Sequence, residues 1–522
     1  VNDTVDRLLR QVIHRYADRN AVVCGADSLT YVQLGRRAER LAAVLVDSGL
    51  RPGDRLATMT SDRIEVFEIF VAAMLGGFTL VPVNSKLQPM EVGHILADSE
   101  PAALIYTSDL SAVLAEAGPL PPIVLAIGPG DRLPGAIGYA DELLAASDAD
   151  PSIASSWSAE DIAVIGYTSG TTGAPKGALC SHRAIVTCTR LVPTVQAITP
   201  YGSCVFPATM SFVSVYWGVL LPVLYTGGTF HLLSGTDFDG WLGALAATRA
   251  TYTWAPTPWV PQLAAALRDT PELLDHLQTI VHTGGAVTRD SLAELVAAAG
   301  SLVVETWGMT ETIGPVTAST KGDWAADCSA GDVYASAGRA VATAEVAVLD
   351  AAGQSCPTGE TGQLAVRGDT MFSGYLGQDP HDSDEWFRTG DLGHRDAGGY
   401  VYLTARVAEL IVSGGMNIYP AEVELALALV PGVREVVVFA APHPRWGETV
   451  IAAVVREPGA TVTAEDVWQG ARRLAGYKKP TAVTFVDELP RTASGKVQRH
   501  VLRDQYIAEP RPPSTLSAAP LR

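Results

Sequence analysis

The sequence predicts an α/β protein. A large N-terminal domain of parallel-rich sheets with flanking helices is followed by a small β-barrel-like part and then by a small α+β C-terminal domain. Three observations carry this reading. Apolar runs of four to seven residues alternate with longer helical patterns for most of the length. Short strand signals dominate from Ala344 to Tyr402. The pattern then resets into a compact α+β unit of about a hundred residues.

The elements follow in chain order. Val5, Leu8, Leu9, Val12 and Ile13 recur at helical spacing among charges, which predicts an amphipathic helix lying on a core and not a signal peptide. Leu34, Ala38, Leu41, Ala42, Leu45 and Val46 repeat at three- and four-residue steps, and Gly49 and Pro52 stop that helix. Arg55–Thr60, Val66–Leu75 and Thr79–Val83 read as strand, helix and strand, and Glu345–Leu349 and Gln363–Arg367 as short strands. In the last unit we expect a helix at Pro420–Leu429, strands at Val433–Phe439 and Val450–Arg456, a helix at Ala464–Leu474 and a strand at Ala482–Phe485. Residues 509–522 hold four prolines and little to pack, and read as a flexible tail.

Composition narrows the function. The 522 residues carry 37 Lys+Arg against 56 Asp+Glu, a formal charge of −19, without a long cationic run. Nucleic acid is thereby disfavoured as a partner, since phosphate backbones are held by clustered cations. The longest apolar stretch, Phe212–Tyr225, is broken by Ser214 and Pro222 and is shorter than the roughly 18–20 residues a membrane span needs. Six cysteines show no CxxC and no metal-like spacing, as expected of reduced thiols in the cytoplasm. A homo-oligomer is left open.

The most informative segment is Asp161–Gly177, DIAVIGYTSGTTGAPKG. An apolar strand, Ile162–Tyr167, delivers the chain into a loop of Ser, Thr and Gly that ends in Lys176. Closely spaced backbone N–H groups, hydroxyls and one cation are what a polyphosphate needs, and glycine lets the backbone approach it. The Walker spacing is absent, because Gly170 stands six residues before Lys176.

With this motif the chain resembles the adenylate-forming superfamily: acyl-CoA synthetases, adenylation domains of non-ribosomal peptide synthetases, and luciferases. The resemblance runs from SLTYVQL near residue 28 to RTASGKVQR near residue 499 and is strongest to acyl-CoA synthetases. It implies that Thr168, Ser169, Gly170, Thr171, Thr172, Gly173 and Lys176 form the loop over the ATP phosphates. Within ETWGMTET it implies that Thr310 bonds the α-phosphate and that Glu311 holds Mg²⁺. Glu305, Thr306 and Trp307 border the nucleotide, and Trp307 stands where the family usually has Tyr. Gly284, Gly285 and Ala286 in HTGGAVT border adenine and the acyl pocket, with Gly308 and Met309 beside the acid. Asp391 in WFRTGDLG would accept the ribose hydroxyls, with Arg406 as a second ribose contact. Lys496 would stabilise charge where the carboxylate meets the α-phosphate. Gly414 and Gly415 would leave room for a pantetheine arm.

The resemblance further implies a domain of residues 1–405 that binds ATP and the acid, and a mobile domain of residues 406–508 that carries Lys496. The expected reaction is activation of a small-molecule carboxylic acid to an acyl-adenylate, then transfer to coenzyme A. Two departures matter. Ala408 occupies the hinge position, which is commonly Asp or Lys, and Ala405 replaces a usual Gly. In FPATMSFVSVYWGVLLP, Ser211 or Phe212 stands near a frequent His, and Val213 replaces the Asp that amino-acid-activating relatives carry. An unpartnered ammonium there costs several kcal/mol. Phe212, Val213, Tyr216 and Ile313 therefore point to an apolar medium acyl or aryl acid. The alternatives are a stand-alone enzyme that loads a carrier protein, an outlier that activates a non-carboxylate oxyanion, and a nucleotide sensor without chemistry.

Overall fold

A computed structural model describes residues 3–140, 157–168, 175–233, 235–284, 287–324, 332–413, 416–474, 476–491 and 497–508. The chain divides into two compact units. The first comprises Val1–Val346, Val366–Phe387 and Asp396–Val401, and the second comprises Ala347–Ala365, Arg388–Arg395 and Tyr402–Arg522.

Two sheets build the first unit. One runs in the order Ile137–Gly138, Ile123–Ile127, Ala103–Thr107, Arg55–Met59, Thr79–Pro82, Ile162–Thr168, Lys176–Ser181. All its neighbours are parallel except the last pair, which is antiparallel. Its inner strands read as unbroken apolar runs because both faces are covered. Arg55–Met59 and Thr79–Pro82 lie within a residue or two of the expected strands, and the helix between them is Glu65–Gly76. That helix is buried along its whole length and ends at Gly77, whose φ of 84° suits a residue without a Cβ. The second sheet places six parallel strands side by side, from Val303–Gly308 through Thr279–Thr283, Tyr252–Trp254, Ser203–Phe206 and Thr229–Leu232 to Asn20–Cys24. Antiparallel strands close both edges.

The helix expected from Leu34 to Val46 spans Tyr31–Asp47. Thr30 and Gln33 form a reciprocal N-terminal cap, and Leu34, Ala38, Leu41, Ala42 and Leu45 are buried. Val46 instead reaches solvent. The apolar Phe212–Tyr225 stretch becomes helical only from Ser214 and takes π-type geometry over Tyr216–Leu220. Among the described residues, no helix is long and apolar enough to cross a membrane.

Ala344–Leu349, Gly362–Gly368, Phe387–Arg395 and Val401–Arg406 order into a four-stranded sheet. The C-terminal α+β part has the expected elements. These are helix Pro420–Ala428, long paired strands Val433–His443 and Gly447–Arg456, helix Ala464–Gly470 and strand Ala482–Phe485. Alternation sorts its core onto two faces. Val438, Val450, Ala452 and Val454 pack with Ile418, Val423 and Leu427, while Val437, Phe439, Ile451 and Ala453 pack with Leu489 and Leu502.

One buried charge stands out in the first unit. Glu68 is fully enclosed, accepts a hydrogen bond from the Tyr139 hydroxyl at 2.9 Å, and meets Arg37 Nε at 2.9 Å. Burial holds its carboxyl up at about 7, against an ordinary 4.5, although Arg37 and Tyr139 pull it partly back. Between those values the folded chain keeps a proton that the unfolded chain has released. This contribution is therefore complete below about pH 4.5 and is lost as pH rises through 7, in total by about 3 kcal/mol. In urea melts, the stability difference between wild type and Glu68→Gln should shift in the variant's favour across that window. A difference independent of pH would contradict the assignment.

Candidate functional site

The hairpin Ile162–Thr168 and Lys176–Ser181 pairs Thr168 with Lys176 at the end where the chain connects the two strands. Ser169, Gly170, Thr171, Thr172 and Gly173, which complete the expected phosphate loop, lie outside the described residues. Lys176 is exposed, and its ammonium sits 5.2 Å from the ring centroid of Tyr375, a cation over an aromatic face. Backbone bonds bring Tyr375 there. Leu376 N donates to Gly177 O at 2.8 Å, Leu179 N to Gly374 O at 2.9 Å, and Ser373 N to Leu179 O at 2.8 Å.

Strand Val303–Gly308 leads into a short 3-10 turn at Thr310–Thr312. Thr312 Oγ1 accepts from Met309 N at 3.0 Å and donates to Gly314 O at 2.9 Å. Ile313 follows, buried and at φ 51°, which a β-branched residue adopts only under constraint. Gly308 packs so closely on the Gly314 carbonyl that a side chain would collide with it. The turn aims Glu311, which is 6 % exposed, at Tyr375. The Tyr375 hydroxyl donates to Glu311 Oε1 at 2.7 Å, and Phe372 N donates to Glu311 O at 2.9 Å. Burial and the neighbouring carboxylate push the Tyr375 phenol well above its ordinary range, so it stays a donor.

The same strand shows what holds Glu305 and Thr306. Glu305 Oε2 lies 2.6 Å from His282 Nδ1 on the neighbouring strand, and His282 Nε2 lies 2.9 Å from Thr257 Oγ1 in the 3-10 turn Thr257–Trp259. Burial raises the Glu305 carboxyl, partly offset by His282. Its carboxylate is thus engaged by protein. Thr306 O accepts from Thr283 Oγ1 at 2.9 Å, and Trp307 is half-buried at the strand end beside a register shift. Gly284 adopts φ 84°, whereas Gly285 and Ala286 lie outside the described residues.

The acid-pocket candidates come close to the turn. A Cβ built on Gly166 would lie 3.1 Å from Val213 Cγ1 and 3.2 Å from Thr310 Cγ2, so both side chains press on the bare backbone at Gly166. Phe212 is half-buried. Tyr216 is buried and stacks on Phe70 with ring centroids 4.8 Å apart, so its ring is largely spent on the core. A cleft of 470 Å³ elsewhere in this unit, lined by Arg55, Thr79, Trp157 and Asp161 among others, contains none of the expected site residues.

In the second unit, Gly390 turns at φ 77° and Asp391 N donates to Thr389 Oγ1 at 3.0 Å. Arg406 Nε meets Asp391 Oδ1 at 2.6 Å, and Asp391 is 6 % exposed. Such a pair fixes the carboxylate's orientation. Ala408 lies in a 3-10 turn, Val407–Glu409. Arg499 Nη1 bonds Glu409 Oε1 at 2.8 Å, and its Nη2 bonds Glu424 Oε1 at 2.9 Å, which joins that turn to two helices. Gly414, Gly415 and Lys496 lie outside the described residues.

Among the described residues, no group of three or more His, Cys, Asp or Glu could form a protein-only metal cage. Glu311 supplies one carboxylate whose second oxygen has no hydrogen-bond partner among them. That donor set fits Mg²⁺, which takes one or two carboxylates and completes its octahedron with phosphate and water oxygens. Sequence reasoning missed Tyr375 and His282. His282 opens the HTGG motif, and Tyr375 follows Ser373-Gly374 in a turn-like segment, but only tertiary pairing reveals what either one touches.

Comparison with known proteins gives the family and the fold. Residues 9–376 match the AMP-binding enzyme family, and residues 422–496 match the AMP-binding enzyme C-terminal domain. The chain is 34% identical to a feruloyl-CoA synthase of an Amycolatopsis species over 93% of its own length and 96% of the relative's. It is 32% identical to the long-chain-fatty-acid–CoA ligase FadD13 of Mycobacterium tuberculosis, covering 92% and 93% of the two chains. To the fatty acid–[acyl-carrier-protein] ligase ScoC of Streptomyces coeruleorubidus it is 30% identical, covering 93% of each. The crystal structure of ATP-bound MatB from Rhodopseudomonas palustris superimposes with a TM-score of 0.84 at 30% identity, covering 96% of this chain and 99% of that one.

Proposed function

The chain belongs to the AMP-binding enzyme family, and from that premise we propose that it joins an apolar acyl or aryl carboxylic acid to the thiol of coenzyme A. It is an acid–thiol ligase of the adenylate-forming superfamily and works with ATP, Mg²⁺ and coenzyme A. The observation that carries the substrate reading is the contact of Val213 and Thr310 with the same bare backbone at Gly166. Thr310, a residue whose hydroxyl would suit the α-phosphate, and Val213, an apolar wall for the acid, thus meet through their methyl groups at one point, while Val213 offers no anion to an amino group.

The chemistry follows from the acid. A carboxylate resists nucleophiles because it is resonance-stabilised and anionic. Its oxygen attacks the α-phosphorus of ATP, pyrophosphate leaves, and an acyl-adenylate forms. The thiol, losing its proton, then attacks the carbonyl carbon, and AMP departs with the former carboxylate oxygen. In this reading Lys176 and the loop from Thr168 hold the outer phosphates and Thr310 bonds the α-phosphate. Glu311 holds Mg²⁺, which would neutralise phosphate charge. Gly284–Ala286 and Trp307 border adenine, and Asp391, oriented by Arg406, takes the ribose hydroxyls. Residues 406–508 turn as a domain that brings Lys496 to the adenylation step and later opens the way past Gly414 and Gly415 for the pantetheine arm. We assign the enzyme to the cytoplasm, where ATP and coenzyme A are supplied.

The similarity to ScoC favours one second reading, in which a carrier protein's pantetheine replaces coenzyme A. Pyrophosphate release over a panel of aliphatic and aryl acids, with free coenzyme A or a phosphopantetheinylated carrier, separates the two. We expect apolar acids to release pyrophosphate and α-amino acids to remain inert. Thioester on the carrier alone would transfer the assignment to the second reading, and turnover of amino acids alone would overturn the pocket reading. Lys496→Ala should abolish pyrophosphate release yet spare thioester formation from a supplied acyl-adenylate; equal losses in both halves would refute its role. Asp391→Ala should weaken ATP binding by about tenfold or more, as befits loss of hydrogen bonds to a charged group, in a protein that melts cooperatively. Unchanged affinity would remove Asp391 from the nucleotide site.

A further inference from the structure

We propose that Tyr375 is a positioning residue for adenylation: its hydroxyl sets the Glu311 carboxylate for Mg²⁺ while its ring seats the Lys176 ammonium. The inference rests on the reading of Glu311 and Lys176 as groups directed at the metal and the phosphates. Both contacts come from one side chain in the first unit. The hydroxyl donates to Glu311 Oε1 at 2.7 Å, and Lys176 Nζ lies 5.2 Å from the ring centroid.

Tyr375 is itself held firmly. Its backbone bridges Ala178 in antiparallel register, directly behind Lys176. Its ring meets Phe372 edge-on at 5.0 Å, and Phe372 in turn packs against Phe387 at 5.1 Å and His381 at 5.5 Å. The Phe372 amide also holds the backbone of Glu311. Residues near 176, 311 and 375 thus meet at one point although they are far apart in sequence. The two contacts separate chemically, because a phenylalanine keeps the ring under Lys176 and loses only the bond to Glu311. With Oε1 engaged, the carboxylate cannot rotate freely, and its Oε2 keeps a fixed direction. A tyrosine that merely filled space would gain nothing from its hydroxyl.

The test is calorimetric titration of the full chain with ATP, once with Mg²⁺ and once with EDTA, on wild type, Tyr375→Phe, Tyr375→Leu, Glu311→Gln and the double variant Glu311→Gln/Tyr375→Phe. Thermal melts establish that each variant is folded. We expect Tyr375→Phe to bind ATP as wild type does in EDTA but about tenfold more weakly with Mg²⁺, the worth of one hydrogen bond to a charged group. Tyr375→Leu should lose affinity in both conditions, because Lys176 also loses its seat. In the Glu311→Gln background, adding Tyr375→Phe should change nothing further. The proposal is overturned if Tyr375→Phe matches wild type with Mg²⁺, or if it loses affinity equally with and without the metal. Wild-type metal dependence in Glu311→Gln alone would overturn the assignment of Glu311 beneath it, an outcome distinguishable from failure at Tyr375.

Discussion

A short run of backbone hydrogen bonds governs the site in the first unit. Residues 372–376 add to the arm of the hairpin that begins at Lys176, and the same segment bonds the main chain of Glu311. Each such bond is worth only about 1 kcal/mol net. Their larger effect is register, since a slip of one residue would turn Tyr375 to the opposite face. Three pieces of chain that share no sequence neighbourhood therefore present a cation, a carboxylate and a phenol to one place. The parallel sheet beneath supplies the rigidity, because its strands are buried on both faces.

The same region carries costs that the rest of the fold must offset. Ile313 sits in the left-handed region, at a cost of about 1–3 kcal/mol, and is held there by Thr312 and by the tight approach of Gly308 to Gly314. Glu305 is buried against His282 rather than solvated, which is tolerable only because His282 and Thr257 complete the hydrogen-bonded chain. Strain and buried polarity thus gather beside Glu311 and Thr310, as they commonly do at sites that position reacting groups. An apolar core of equal size would be more stable and would position nothing.

Much of this was legible in the amino acids. The run from Arg55 to Pro82 reads correctly because parallel strands covered on both sides leave unbroken apolar stretches. The C-terminal α+β part reads correctly because its strands alternate in step with the two faces they cover. Thr310 and Glu311 drew attention only through the resemblance of ETWGMTET to a family motif, and the roles proposed for them toward phosphate and Mg²⁺ follow from that resemblance. Tyr375 was not, because its role depends on long-range strand pairing that leaves no local pattern. The π-type turn at Tyr216–Leu220 was not legible, because a change of helical hydrogen-bond register leaves no apolar signature. Val46 shows the limit of periodicity from the other side: it fits the stripe but falls at the helix end, where the core stops.

In adenylation a carboxylate oxygen becomes bonded to the α-phosphorus of ATP. Turnover of an acid labelled with ¹⁸O in its carboxylate, followed by mass spectrometry of the nucleotide product, reads this bond directly. One labelled oxygen is expected in AMP and none in the released pyrophosphate. Label in inorganic phosphate or pyrophosphate, or AMP formed without any label, would contradict it.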